Sequence, residues 1–352
     1  VLQQVVNSDI RNILLVRTDR IGDLILSLPL LPALKRNFPG AKISMLVRQY
    51  TRELVAGHSC VDEILIYEHE DSIASLWGTL RQIRSRHFDL VIIPYPRLRI
   101  TTLMFLAGIP VRVGTGYRWY SVFFNRRVFE HRKDAKRHEV EYNLNLLKAI
   151  HADSPQPPQF EFNIPKEAEI AVEKLLLENE VNGAFAVLHP GSGGSAREWS
   201  PEKFSALGDM LHEQLNFFIV ITGSENERVL VEKVTAGMNA RAVNAAGKLS
   251  LRQLGALYKR AAAYISNSTG PLHIAAIVGT PVVALYPPMI QCSPRRWGPY
   301  TTAKKIFTAD NKTCPLCRGG ACQSNVCMEQ ISVQDVFTAV TELLRSREKI
   351  RQ

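Results

Sequence analysis

No apolar run in this chain approaches the ~18 residues that a membrane-spanning helix needs, and its first residues, VLQQVVNSDI, lack the basic start and apolar core of a signal peptide. A cytoplasmic protein is therefore expected. Solenoid-type repeats and low-complexity tracts are also missing, which excludes a repeat array and a biased, disordered chain. Cysteine is scarce, six in all, and a cytosolic location disfavours stable disulfides. Acids are outnumbered by bases, 33 to 43, for a net charge of +10. That imbalance asks for an acidic partner: nucleic acid, phosphorylated small molecules or an anionic membrane surface. What is present, 46% hydrophobic and 22% charged residues, has the proportions of a globular protein, and 352 residues suffice for two domains.

The chain is organised around Ile13 to Asp23, ILLVRTDRIGD. Ile13, Leu14, Leu15 and Val16 form a continuous apolar run, the pattern of a strand buried in a parallel sheet. A polar turn closed by Gly22 follows. Apolar residues at Ile21, Leu24, Ile25, Leu28, Leu31 and Leu34 then have helical spacing, with Pro29 and Pro32 expected to kink the helix. Strand, loop, helix places Asp23 at a helix start beside the carboxyl end of a strand, where ligands bind in open α/β sheets. It can serve there as a general base, or simply as a first-turn acid favoured by the helix dipole.

Further strands are expected at 42–47, 64–67 and 89–93, the spacing of repeated βα units. From Arg97 to Arg137 ten Arg and Lys residues stand against Glu130 and Asp134, interleaved with Tyr117, Trp119, Tyr120, Phe123 and Phe124. Such a segment is either a solvated face with ordinary core aromatics or a surface that grips nucleic acid or an anionic lipid headgroup. A helix is expected near 138–150, then a proline-rich linker at 151–160. Beyond it a second α/β series begins, with strands at 184–188, 217–222, 263–266 and 282–285. A helix start is capped at Ser200-Pro201-Glu202, and a last helix near 333–347 can pack on either half.

Three loops of the second half carry candidate chemistry. His189 to Trp199, HPGSGGSAREW, is a Gly/Ser-rich turn whose N–H groups and hydroxyls can approach phosphate, with Arg197 as a cationic partner. It has neither the Walker spacing nor GxGxxG, which argues against a P-loop ATPase and a standard dinucleotide enzyme. Ser224 and Glu227 have capping-box spacing, and Glu227 can equally bond ribose hydroxyls. Ser266 to His273, SNSTGPLH, puts a helix amino terminus where phosphate is favoured. His273 is either structural or a phosphate contact. Cys314, Cys317, Cys322 and Cys327, C-x2-C-x4-C-x4-C, form either a structural zinc site or free thiols.

The string RTDRIGDLILSLPLLPALKRNFPGAKI resembles the amino-terminal signature of glycosyltransferase family 9, the bacterial lipopolysaccharide heptosyltransferases. HPGSGG with Arg197 and Trp199, and SNSTGPLHIAAIVGTPVVALYPP, resemble its donor-binding motifs, so the likeness spans most of the chain. The resemblance implies a GT-B fold, two Rossmann-like α/β domains facing across a cleft: residues 1–160 for the acceptor, 161–352 for the nucleotide-sugar. It implies an inverting glycosyltransferase taking heptose from ADP-heptose to the lipopolysaccharide inner core, peripheral on the cytoplasmic face of the inner membrane. Asp23 resembles the catalytic acid. Ser192 and Arg197 resemble the phosphate contacts, Glu227 the ribose contact, and Thr269, Gly270 and His273 the helix-start phosphate site, with Gly193 and Ser268 as further expected donor-binding residues. Arg20, Arg97, Arg99 and Arg118 are the expected acceptor contacts. No metal is required for catalysis. The chain departs from the family at Ser268, where many members have an acid that can orient donor hydroxyls, which leaves the donor's sugar and base open. The rival readings are a transferase using another nucleotide-sugar and a family member that binds donor without transfer. A nucleic-acid-binding protein with a four-cysteine zinc site is a third, and the three loops argue against it.

Overall fold

The computed structural model describes residues 10–67, 73–154, 156–310 and 326–351. It divides into two compact units, Val1–Asn163 and Ile164–Gln352. In the first, the elements run β1 (Asn12–Val16), α1 (Ile21–Ile25), α2 (Leu30–Asn37), β2 (Lys42–Val47), β3 (Glu63–Ile66), α3 (Ile73–Arg84), β4 (Leu90–Ile92), α4 (Leu98–Leu106), β5 (Val111–Thr115), β6 (Arg126–Val128) and α5 (Glu139–Leu144). The six strands form one parallel sheet of order β3-β2-β1-β4-β5-β6. Ile13, Leu14 and Leu15 are all wholly buried, as a central parallel strand covered on both faces requires. Leu14 sits opposite Ser44 and Val91 and belongs to a core closed by Leu80 and Ile83 of α3 and Leu103 and Met104 of α4.

The expected kinked helix is two helices. Pro29 has no N–H to give, so α1 ends at Ile25, and short-range bonds from Ser27 N–H to Leu24 and from Leu28 N–H to Ile25 (2.9 and 3.0 Å) turn the chain into α2. Pro32 falls in the first turn of α2, where no donor is needed. The basic segment is folded rather than extended, since it contains α4, β5, a 3₁₀ turn at Trp119–Phe123 and β6. Near 138–150 the helix begins as α5, where His138 Nδ1 accepts the Val140 N–H at 3.2 Å, and continues as a 3₁₀ helix over Asn145–Ile150. The proline-rich stretch has no regular structure among its described residues and is tied to the first unit by paired Asn37–Asp153 bonds of 2.8 and 2.9 Å.

The second unit runs α6 (Lys166–Glu178), β7 (Phe185–His189), α7 (Pro201–Leu215), β8 (Phe218–Ile221), α8 (Arg228–Ala236), β9 (Ala242–Asn244), α9 (Leu251–Arg260), β10 (Ala263–Asn267), α10 (Gly270–Ile277), β11 (Val282–Tyr286), α11 (Pro294–Trp297), β12 (Lys304–Thr308) and α12 (Val333–Arg351). Its parallel sheet has the order β12-β11-β10-β7-β8-β9. Each sheet reverses the direction of its strand order once, at β1/β4 and at β7/β10, the topological switch points where such folds bind ligands. The last helix packs within this unit: Val336, Phe337, Val340 and Leu343 of α12 join Leu207 and Leu211 of α7 in one core. Pro201 opens α7, but the Ser200 side chain makes no capping bond. Cys314, Cys317 and Cys322 lie outside the described residues, while Cys327 is buried in the second core beside Met328 and Ile331.

Leu14→Ala should destabilise the protein by about 2–5 kcal/mol, because the site is closed on every side and cannot collapse. Trp77→Ala, at a side chain 56% exposed, should move stability by about 0.5 kcal/mol or less. Urea denaturation of both variants checks the contrast.

Candidate active site

Both switch points carry polar clusters. In the second unit, the loop after β7 turns through Gly193 and Gly194 at positive φ, 56° and 72°, which glycine adopts without strain. Glu227 reaches into this loop from the end of β8. Its Oε1 accepts the Gly193 N–H at 2.9 Å, and its Oε2 accepts the Ser224 N–H and hydroxyl, each at 2.8 Å. A side chain at Gly191 would place its Cβ 2.0 Å from Glu227 Oε1, so the carboxylate's seat requires glycine there. The capping box is thus present, and the same carboxylate also organises the glycine loop. Burial opposes its charge, but His189, 4.0 Å away, and the Ser224 and Gly193 N–H groups outweigh it and hold Glu227 below its usual range. Burial likewise keeps His189 below its ordinary value against the pull of Glu227. His189 Nδ1 lies 3.0 Å from Thr222 Oγ1.

Asn267 ties the loops together. Its Oδ1 accepts the Trp199 N–H at 2.9 Å and its amide donates to the Pro190 carbonyl at 2.6 Å. Ser195 Oγ donates to the carbonyls of Ser192 and Ser268 (2.6 and 3.2 Å). Ser268 sits at the end of β10, and Thr269 is the cap residue of α10, which Gly270 and Pro271 open. Thr269 and His273 are buried at this helix start. Ser192, expected to face phosphate, turns its hydroxyl inward to Glu198 Oε1 at 2.7 Å and to the Ala196 carbonyl at 3.0 Å. Arg197 is half-buried on the same loop, with no carboxylate pairing it among the described residues. A cavity of about 620 Å³ in this unit, lined by Ala184, Lys259, Arg260 and Arg345 among others, lies at the opposite, amino ends of β7 and β10 and belongs to neither cluster.

In the first unit the cluster is built on Arg17, whose side chain is 1% exposed. Its Nε lies 2.8 Å from Asp19 Oδ1, its Nη2 donates to Asp23 Oδ1 at 2.7 Å and stands 3.8 Å from Glu139 Oε1. Arg132 reaches the same Glu139 oxygen at 2.7 Å. Glu139 opens α5, which Asn143 pins to the turn after α1 through the Leu26 carbonyl at 2.9 Å and Ser27 Oγ at 3.2 Å. Asp23 stands in the first turn of α1 with its side chain 19% exposed, so it is reachable as well as held. Arg20 is exposed at the cap of α1. Arg97 and Arg118 both lie against Tyr95, at 5.7 and 5.8 Å from its ring centre, and Arg99 follows on α4. These residues follow β1, β4 and β5 at their carboxyl ends. Arg17, Asp19 and Glu139 escaped the sequence reading. The first two stand in the organising turn, but nothing in the linear pattern joins them to Glu139.

Two guanidinium groups face three carboxylates here, and the imbalance falls on Asp19. Burial pushes its carboxyl up to about 7, with Arg17 pulling the other way. The folded state thus keeps a proton that the unfolded chain releases near pH ~4, so this group's contribution to stability falls as pH rises from there to about 7. Asp19→Asn removes the titration. Relative to the parent, the variant should gain stability as pH rises from about 4 to about 7, by at most about 1.4 kcal/mol per pH unit. A pH-independent difference in urea denaturation would mean that Asp19 is ionised throughout.

The family model described as glycosyltransferase family 9 (heptosyltransferase) matches residues 76–326. Lipopolysaccharide heptosyltransferase 3 of Escherichia coli is 25% identical over 334 residues, covering 92% of this chain and 97% of that protein. The crystal structure of a family 9 glycosyl transferase from Veillonella parvula matches with a TM-score of 0.84 at 22% identity, over 97% of this chain and 99% of its own. The solved structure of the E. coli ADP-heptose lps heptosyltransferase II matches with a TM-score of 0.79 at 20% identity, over 96% and 99%. The architecture of two six-stranded parallel sheets is accordingly the GT-B fold. With a family match spanning most of its length, this chain belongs to glycosyltransferase family 9, the heptosyltransferases, and is a glycosyltransferase.

Proposed function

We propose that the enzyme transfers heptose from ADP-heptose, with inversion, to the inner core of lipopolysaccharide, working at the cytoplasmic face of the inner membrane. The observation that carries the assignment of a nucleotide-linked donor is Glu227. It is a carboxylate kept ionised and aimed by backbone N–H groups beside a left-handed glycine turn, the arrangement a ribose edge needs. Gly193, Ser192, Arg197 and the α10 start at Ser268, Thr269, Gly270 and His273 surround the diphosphate in this reading. Helix-terminal N–H groups and a guanidinium then meet the charge that develops on the leaving group. In this reading the leaving group needs no metal. The donor's identity is supported by the E. coli ADP-heptose enzyme of the same fold, and the acceptor by the lipopolysaccharide heptosyltransferase relative.

Asp23 is the general base. It takes the proton of the acceptor hydroxyl as that oxygen bonds to the anomeric carbon and the bond to the diphosphate oxygen breaks. Arg17 fixes the carboxylate by one oxygen, while Arg20, Arg97, Arg99 and Arg118 receive the phosphorylated acceptor. Cys327 is buried in the second core, and a zinc site with the other three cysteines would be structural.

A thermal-shift panel of ADP, UDP, GDP, CMP and their sugars tests the donor: ADP compounds at about 100 times their Kd should stabilise the fold by ~2.7 kcal/mol. A preference for UDP or GDP would keep the transferase and change the sugar, whereas no shift would sink the reading. Asp23→Asn should lose about 10²–10⁴-fold in kcat while its ADP shift is retained. Arg197→Ala should instead raise the donor KM about tenfold or more. Full turnover by the Asp23 variant would remove it from catalysis.

A further inference from the structure

Helix α4 carries an apolar stripe on its outer side. Leu98, Phe105 and Leu106, with Thr102 between them, follow helical spacing, and the three apolar side chains are 41%, 45% and 50% exposed. The 3₁₀ turn Trp119–Phe123 lies alongside and adds Trp119 and Val122, 75% and 67% exposed. The two elements form one surface. Phe105 and Phe123 meet at 5.0 Å between ring centres, and the Tyr120 hydroxyl donates to the Pro96 carbonyl at 3.0 Å. Arg112 lies over the Phe105 ring while its Nε donates to the Phe123 carbonyl at 2.7 Å.

The charge around this ridge has one sign. Between Arg97 and Phe129 there are six arginines and no acid. The neighbouring α3 adds Arg84, whose Nη2 donates to the Leu106 carbonyl at 2.7 Å, and α3 itself contains no acid. Exposed Leu, Val, Phe and Trp within a basic rim have the chemistry of an interfacial segment, in which apolar side chains enter the acyl boundary and arginines meet headgroup phosphates. A second copy of this chain would set one arginine-rich rim against another. Nucleic acid would leave Leu98, Leu106 and Val122 without an apolar counterpart.

We propose that the α4 and Trp119–Phe123 face docks on an anionic lipid bilayer. This deepens the assignment of a lipid-linked acceptor and rests on it for its purpose, yet it is tested without that acceptor. Purified protein should sediment with vesicles of phosphatidylethanolamine and phosphatidylglycerol and stay in solution with phosphatidylcholine alone, and added salt should release it. The double variant Phe105→Glu/Leu106→Glu should lose at least about tenfold in vesicle partition. So should Val122→Glu, at an exposed side chain whose replacement leaves the core intact, and both should keep the parent's thermal shift with ADP. Absence of binding to the anionic vesicles, or binding unchanged in both variants, would overturn the proposal. So would a dimer in solution, without vesicle binding, that these variants break. Vesicle binding without any nucleotide shift in the parent would uphold the docking face and count against the transferase assignment instead.

Discussion

A guanidinium taken out of water must be surrounded by carboxylates, and Arg17 is. Its three acidic neighbours come from the turn after β1, the first turn of α1 and the start of α5, so the position of Asp23 depends on elements that meet only when the first unit is folded. Buried ion pairs add little net stability over apolar packing, because desolvation of both partners offsets their attraction, yet removing one partner is costly. Such a cluster is better understood as a device of geometry. It fixes one oxygen of Asp23 and leaves the side chain 19% exposed, as the general base proposed above would need.

The second unit solves its placement problem with backbone instead of charge. Glu227 is seated by N–H groups of Gly193 and Ser224, and the absence of a side chain at Gly191 makes room for the seat. Asn267 holds the loop after β7 to the end of β10 by satisfying both Trp199 N–H and the Pro190 carbonyl. Rigid peptide dipoles placed in this way stabilise charge without reorganising when it develops. The inward turn of the Ser192 hydroxyl belongs to the same logic, since hydroxyl and backbone N–H both go to Glu198 and brace the loop.

Charge and apolar surface are combined differently outside these clusters. The arginines between Arg97 and Phe129 are interleaved with a ridge whose apolar side chains stay 41% to 75% exposed. Exposed Leu and Val alone are ordinary on a protein surface. Their helical spacing, the aromatic contact joining two elements and the missing acids together distinguish this face from a solvated one.

Sequence by itself determined the elements whose reason for existing is local. Strands β1, β2, β3, β4, β7, β8, β10 and β11 are legible as apolar runs, and all of them except the edge strand β3 are central, where a parallel strand is buried on both faces. The break at Pro29 follows from a missing N–H, and the glycine loop and the α10 start follow from turn and cap chemistry. Family motifs lie in those same loops, which is why the activity was legible too. Edge strands β6, β9 and β12 were not: with one neighbour and a solvent side they show no continuous apolar run, and β6 and β12 carry Arg126, Arg127, Lys304 and Lys305. Helix α4 and strand β5 were hidden in the same way by the arginines they bear. Only the tertiary structure decided that Arg17, Asp19, Asp23 and Glu139 share one buried cluster and that α12 packs on the second core. It alone set Gly191 against Glu227. Burial and electrostatic pairing are properties of space, and residues far apart in the chain leave no periodicity by which they could be matched.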